Sequence, residues 1–275
     1  MLTCSKSKLC DVRCQRVEPC VVAVTGVTQL HDVVYMVRLR SSSIVRFNAT
    51  THQRLTDVNV KDLKAPCDIA ACQQTSQLYI PDYESKCIWR VSADDADIKR
   101  WWSKSESDRF RPWSLSVTST RLLVTSHYAN QLMQLDAVGN ELGRVQLPDY
   151  MEPLHAVESP TDTFIVNHNN TQLKQSQVSE VNMRGEVLRE FSGLHLTSLH
   201  YAGHVAVGSH GNILVADYYN CRILLLDAQL KLRRVIIDEH QLNHESPRRL
   251  CYMERTGQLV RLRQSVVEVF DVLRQ

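Results

Sequence analysis

Short apolar stretches of strand type recur along the whole chain, each opening on a Pro or a small residue that is followed within two or three positions by an apolar triplet. The copies are Pro19-Cys20-Val21-Val22-Ala23-Val24, Pro66-Cys67-Asp68-Ile69-Ala70-Ala71, Pro112-Trp113-Ser114-Leu115-Ser116-Val117, Pro153-Leu154-His155-Ala156-Val157, Ala202-Gly203-His204-Val205-Ala206-Val207 and Pro247-Arg248-Arg249-Leu250-Cys251-Tyr252. Successive openings stand 41 to 49 residues apart. Within a repeat the triplet leads through a turn to a second apolar run, as at 78–80, 122–124, 163–166 and 213–215. A polar loop then precedes a third run, as at 87–91, 131–135, 178–181 and 221–226. Tight turns such as Val138-Gly139-Asn140 and Met183-Arg184-Gly185 introduce an alternating fourth. Helical periodicity is nearly absent.

Four strands per period of this length predict an all-β fold, a six-bladed β-propeller forming a single domain over residues 1–275, with blades starting near 19, 66, 112, 153, 202 and 247. The first strand of a blade is packed on both faces, so it should read as small and β-branched residues without alternation; Val22-Ala23-Val24 and Val205-Ala206-Val207 do. The last opening leaves room for three strands only. The N-terminal segment, residues 1–18 and within it 10–17, is expected to supply the fourth and close the ring by pairing with the last blade.

The sequence of 275 residues is 43% hydrophobic and 23% charged, enough to bury a core and far from the composition of a disordered chain. A net charge of +2 gives no global field toward nucleic acid or anionic lipid, so electrostatic binding must come from a local patch. No apolar run is long enough to span a bilayer as a helix, and no segment has the order of a signal peptide. Nine cysteines cannot pair completely within one chain; together these features predict a soluble, cytoplasmic monomer with free thiols. The spacing of Cys4, Cys10, Cys14 and Cys20 lacks the paired C-x2-C knuckles of RING or B-box zinc sites.

The segment Leu214-Val215-Ala216-Asp217-Tyr218-Tyr219-Asn220-Cys221-Arg222-Ile223 resembles the V-A-D-x-x-N-H-R-I core of the NHL repeat, with Cys221 in place of the His. Weaker echoes stand at Tyr79-Ile80-Pro81-Asp82-Tyr83 with Cys87-Ile88-Trp89, and at Val124-Thr125-Ser126-His127-Tyr128 with Asn130-Gln131-Leu132. By spacing the resemblance covers the chain; only the fifth repeat matches in detail. It implies a six-bladed propeller like the C-terminal domain of tripartite-motif (TRIM-NHL) proteins, a target-binding module that in those proteins accompanies a ubiquitin-ligase head. Asp217, Asn220 and Arg222 are then structural repeat residues, the Asp accepting backbone hydrogen bonds in the loop and the Arg pairing with carboxylates between blades.

In such an architecture the second-to-third loops and the links between blades share one rim, where binding collects. Candidate rim residues are Arg40, Lys86, Arg109, Phe110, Arg111, Tyr128, His168, Tyr218 and Tyr219. The stretch 99–113 holds Trp101, Trp102 and Trp113 among basic residues; it reads as a hot spot if exposed, or as outer-strand and inner-strand packing if not. His127 and His168, at equivalent loop positions, are weak metal candidates without supporting spacing. No nucleophile elbow, P-loop or dinucleotide fingerprint is present, so no catalytic residue and no cofactor is assigned. The reading is a non-catalytic scaffold for protein partners. The alternatives are a single-stranded RNA reader using Arg109, Arg111, Lys86 and Arg40, and a metal-dependent hydrolase or lyase on the same architecture.

Overall fold

The computed structural model describes residues 24–51, 53–104, 108–118, 120–191, 193, 203–208, 211–244 and 246–252, the backbone of 4–7, 253, 258–263 and 266–272, and the side chains of Leu259 and Phe270. The described chain is built from strands, with one short 3-10 turn at His127–Ala129.

Five antiparallel sheets each take four consecutive strands in simple up-and-down order. They are β2–β5 (Val24–Leu30, Val33–Arg38, Ser43–Asn48, Arg54–Asn59), β6–β9 (Ala70–Cys72, Gln77–Asp82, Cys87–Ser92, Ile98–Ser103), β10–β13 (Ser114–Val117, Leu122–Ser126, Gln131–Leu135, Glu141–Gln146), β14–β17 (Met151–Glu158, Phe164–Asn170, Gln175–Val181, Val187–Phe191) and β18–β21 (Val205–Val207, Ile213–Asp217, Arg222–Leu226, Leu232–Ile237). A further sheet is composite: β22, β23 and β24 (Arg249–Met253, Gln258–Arg263, Val266–Val272) are completed by β1 (Cys4–Ser7), which runs antiparallel to β24 with Cys4 opposite Val272 and Ser7 opposite Val269. The pairing segment is thus 4–7; the proposed closing stretch 10–17 lies outside the described residues, as does the first opening at 19–23.

The strands fall into two compact units, 22–147 and 148–275 with 1–21. Within each unit the first strands of consecutive sheets lie side by side, β2 next to β6 and β6 next to β10, β14 next to β18 and β18 next to β22. Polar bonds tie them: the Thr25 hydroxyl donates to the Pro66 carbonyl at 2.7 Å, the Leu115 N–H to Asp68 at 3.1 Å, and the Asn167 amide to the Gly203 carbonyl.

The core sits between adjacent sheets, packed face to face. Tyr35, Ile44 and Val58 meet Leu78, Ile80 and Trp89 in one such layer, and Tyr79, Ile88 and Trp102 meet Leu115, Val124 and Met133 in the next. In the other unit Ile165 and Val178 meet Val215 and Leu224, and Leu214 and Ile223 meet Leu250 and Phe270. Each large apolar side chain so enclosed contributes roughly 1.5–3 kcal/mol. The second and third strands are therefore covered on both faces, while outer strands such as β21 keep polar or exposed positions.

Three of the third-to-fourth turns follow one chemistry. Asp136, Asn182 and Asp227 each accept the backbone N–H groups two and four residues on. The residue three on takes positive φ: Gly139 at 98°, Gly185 at 83° and Leu230 at 58°. Gly supplies that conformation freely; Leu230 adopts it with its side chain buried.

Candidate functional site: an aromatic platform with basic flanks

The strongest surface feature is assembled in unit 22–147 by two second-to-third loops and one link between sheets. Tyr83 follows the end of β7, where Asp82 is fully buried and accepts the N–H groups of Lys64, Ala65 and Ser85 at 2.9, 3.1 and 3.2 Å. Those bonds fix the loop, and the Tyr83 N–H is itself held by the Ala65 carbonyl at 3.1 Å. His127 and Tyr128 form the 3-10 turn after β11, which ends on Asn130 in the left-handed region at φ 49°. Arg111 and Trp113 lie in the link from β9 to β10, anchored where the Arg111 N–H reaches the Ser126 hydroxyl at 3.0 Å and the Trp113 N–H the Thr125 carbonyl at 2.9 Å.

The rings close a circuit. Ring centroids are 5.7 Å apart for Tyr83–Trp113, 6.0 Å for Trp113–His127, 5.1 Å for His127–Tyr128 and 5.8 Å for Tyr128–Tyr83. These are the separations of rings in direct contact, and together they form an aromatic platform. Tyr128 is 65% exposed, and the Arg111 guanidinium lies 5.1 Å from the Tyr83 ring centre. Burial, followed by a hydrogen bond to Tyr128, raises the Tyr83 phenol above its ordinary value, so that ring stays un-ionised at neutral pH.

Its flanks are basic. Arg109 is exposed, and Lys86, at φ 47°, directs its ammonium to the Asp108 carbonyl at 3.4 Å. Asp108 adds little negative charge outward: it accepts the Phe110 N–H at 2.8 Å and pairs with Arg144 at 3.2 Å. Burial works against its ionisation, but those bonds outweigh it and hold the carboxyl below its usual range.

The candidate rim residues are placed unequally. Arg111 and Tyr128 meet at the platform, and Lys86 and Arg109 lie in the adjoining loop and link. Arg40 is exposed at a turn at φ 57°, in the same unit. Phe110 requires correction: it is fully buried, edge-on to Trp102 at 5.9 Å with the Arg144 guanidinium 5.2 Å from its ring centre, because the link tucks this ring beneath the sheet edge. His168 also requires correction. It lies inside β15 with no exposure, its Nε2 2.8 Å from the Ser179 hydroxyl, and burial pushes its pKa down to about 4. The strand runs on to Asn170, so the loop begins later than hydropathy indicates, and His168 is no rim ligand for a metal beside His127.

In the other unit Tyr218 and Tyr219 stand edge to face at 5.0 Å after β19, with the Arg248 guanidinium 5.9 Å from the Tyr218 ring. Just before them the buried Asp217 binds Arg222 Nε at 2.6 Å and Asn220 Nδ2 at 2.9 Å, which corrects the expected roles: the Asp is met by side chains, and the Arg pairs within its own sheet, its partner standing directly across the hairpin. Of the tryptophans, Trp102 is buried and Trp101 packs on Tyr79 at 4.9 Å, both as outer-strand packing. Tyr83 is not among the sequence candidates, which hold Trp113 only within the 99–113 hot spot and His127 only as a weak metal candidate. A signal exists for them: an aromatic follows the end of the second strand in Asp82-Tyr83, Ser126-His127-Tyr128 and Asp217-Tyr218-Tyr219. Sequence reasoning also missed His155 on β14 and His204 just before β18, whose rings stack at 3.6 Å; desolvation, then the neighbouring His155 and Arg249, keep His204 well below its ordinary pKa.

No family model matches the chain, and no curated protein matches it. Solved structures do. Virginiamycin B lyase from Staphylococcus aureus aligns with a TM-score of 0.67 at 9% identity over 99% of this chain and 100% of that one. A chain of a nidogen/laminin complex aligns at 0.64 and 15% identity over 84% and 85%, and one of the mitotic checkpoint complex at 0.65 and 10% over 92% and 87%. At these identities the likeness is one of fold. The class is settled by it: the chain is a β-propeller, with five sheets of consecutive strands as its blades. The neighbours span a lyase and components of protein complexes, so the class alone selects no activity.

Proposed function

We propose that the chain is a six-bladed propeller of NHL type, the composite sheet serving as the sixth blade, and that it acts as a non-catalytic scaffold gripping protein partners through the Tyr83–Trp113–His127–Tyr128 platform. The observation that carries the reading is the closed circuit of rings at 5.1 to 6.0 Å, open to solvent at Tyr128 and flanked by Arg109 and Arg111. Tyr, Trp and Arg are the residues that dominate binding energy at protein interfaces, because they offer large rigid contact area at low entropic cost. Among the solved neighbours, components of a nidogen/laminin complex and of the mitotic checkpoint complex support a protein partner.

A single-stranded RNA reader is the second reading, favoured by the same rings with their basic flanks, since bases stack on aromatics and phosphates pair with Arg. One experiment separates the two. Wild type, Y128A and R109E are compared for binding to a random single-stranded RNA pool across a salt series, and for partner capture from nuclease-treated lysate. Nuclease-resistant protein partners lost together in both variants support the scaffold. RNA binding that falls steeply with salt and is lost in the variants would replace it with the RNA reading.

A further inference from the structure

Two cations at the platform are left without a carboxylate by their own unit. Arg109 and Arg111 stand on either side of the fully buried Phe110 in the β9–β10 link. Arg109 is exposed, and Arg111 is half-buried with its guanidinium 5.1 Å from the Tyr83 ring centre. Neither guanidinium has a hydrogen-bond or ion-pair partner among the described residues.

The acids of the same region are already engaged. Asp108 pairs with Arg144 at 3.2 Å, and Glu141 pairs with Arg144 at 2.5 Å and with Lys104 at 3.1 Å. Glu84, the exposed residue after Tyr83, offsets one of the two charges at most. The donors of Arg111 therefore remain for a planar two-oxygen group, which a guanidinium holds through two parallel bonds.

Acidic peptides and nucleic-acid strands both bring such oxygens, and the rings favour the peptide. Tyr83 and Trp113 meet at 89°, and His127 and Tyr128 at 82°. In a perpendicular contact the edge of one ring covers a face of the other. Successive bases need open faces to stack on. An apolar side chain packs on an edge or a face alike, and Tyr128, at 65% exposed, offers both.

We infer, on the reading that the platform grips protein partners, that the part of the partner seated here is an acidic peptide segment, its carboxylates meeting Arg109 and Arg111 and an apolar side chain packing on Tyr128. Charge of matching sign steers the encounter and rejects basic competitors.

The test uses the full chain and three fluorescein-labelled probes: a decapeptide alternating Glu with Ser and Leu, its counterpart with Gln for every Glu, and single-stranded decauridylate. Fluorescence anisotropy follows binding. The acidic peptide should bind roughly 10-fold more tightly than the Gln peptide, and less tightly as salt is added. R109L, R111L and Y128A should each weaken it several-fold. R111K, which keeps the charge without the planar fork, should recover only part of the loss. R184L, at an exposed turn of the other unit, should leave it unchanged. Equal binding of the two peptides, acidic-peptide binding indifferent to R109L and R111L, or tighter binding of decauridylate would each overturn the acidic segment. Capture from nuclease-treated lysate separates this from the platform itself: partners lost in Y128A but kept in R111L overturn the acidic segment alone, whereas partners kept in Y128A overturn the platform.

Discussion

Arg222 Nε donates to the Asp217 carboxylate at 2.6 Å, and the two residues face each other across the β19–β20 pair. Asp82 stands at the corresponding end of β7, yet its oxygens are filled by three backbone N–H groups. One residue type at one strand end is thus satisfied by side chains in one sheet and by amides in another. Both carboxylates are scaffolding, and their removal should differ in cost. D82A strands buried backbone donors and should cost about 2–4 kcal/mol. D217A leaves a partly solvated Arg222 and should cost about 1–2 kcal/mol. Urea unfolding of the two variants measures the difference, and the reverse order would show that the Arg222 pair carries more of the fold than its exposure allows.

Acid should destabilise the protein through His168. Its pKa is about 4 in the folded chain against an ordinary 6.5, so the unfolded chain takes up the proton first as pH falls. The contribution of the neutral ring is complete above pH 6.5, declines between 6.5 and 4 and is gone below. At 1.36 kcal/mol per pH unit the loss amounts to about 3 kcal/mol. H168Q, which keeps a hydrogen-bonding group without the titration, should flatten the stability profile across that interval; an unaltered slope would count against His168 as its source.

Leu230 holds a left-handed conformation in a turn where the equivalent residues of the β12–β13 and β16–β17 turns are glycines. L230G relieves strain of roughly 1–2 kcal/mol. It also removes a side chain packed in the layer with Ile213 and Leu226, at a cost of roughly 3–5 kcal/mol. The variant should therefore be less stable by about 2 kcal/mol. A stabilised L230G in thermal unfolding would mean that the side chain contributes little to that layer.

Deleting residues 1–7 removes β1 and exposes the edge of β24. Four residue pairs of backbone register are lost, and the melting temperature should fall by several degrees, with faster hydrogen exchange along Val266–Val272. An unchanged midpoint would show that the composite sheet does not depend on its fourth strand.

The repeat was legible in the sequence because a blade is a local object. Its strands follow one another through short turns, so hydropathy and turn residues report the 41 to 49 residue period directly, and the Asp217–Arg222 pair lies within one hairpin. The sites were not legible in the same way. Second and third strands are covered on both faces by neighbouring sheets, so a polar residue such as His168 shows no alternation to separate burial within a strand from exposure in a loop. Phe110 and Arg111 are adjacent in the chain, and only the packing of the β9–β10 link sends one beneath the sheet and the other over Tyr83. The platform draws its rings from three segments far apart in the chain. By itself the sequence determined the all-β class, the blade period and the turn chemistry, since these depend on neighbours along the chain. Which side chains meet was decided by the stacking of sheets, because that depends on neighbours across it.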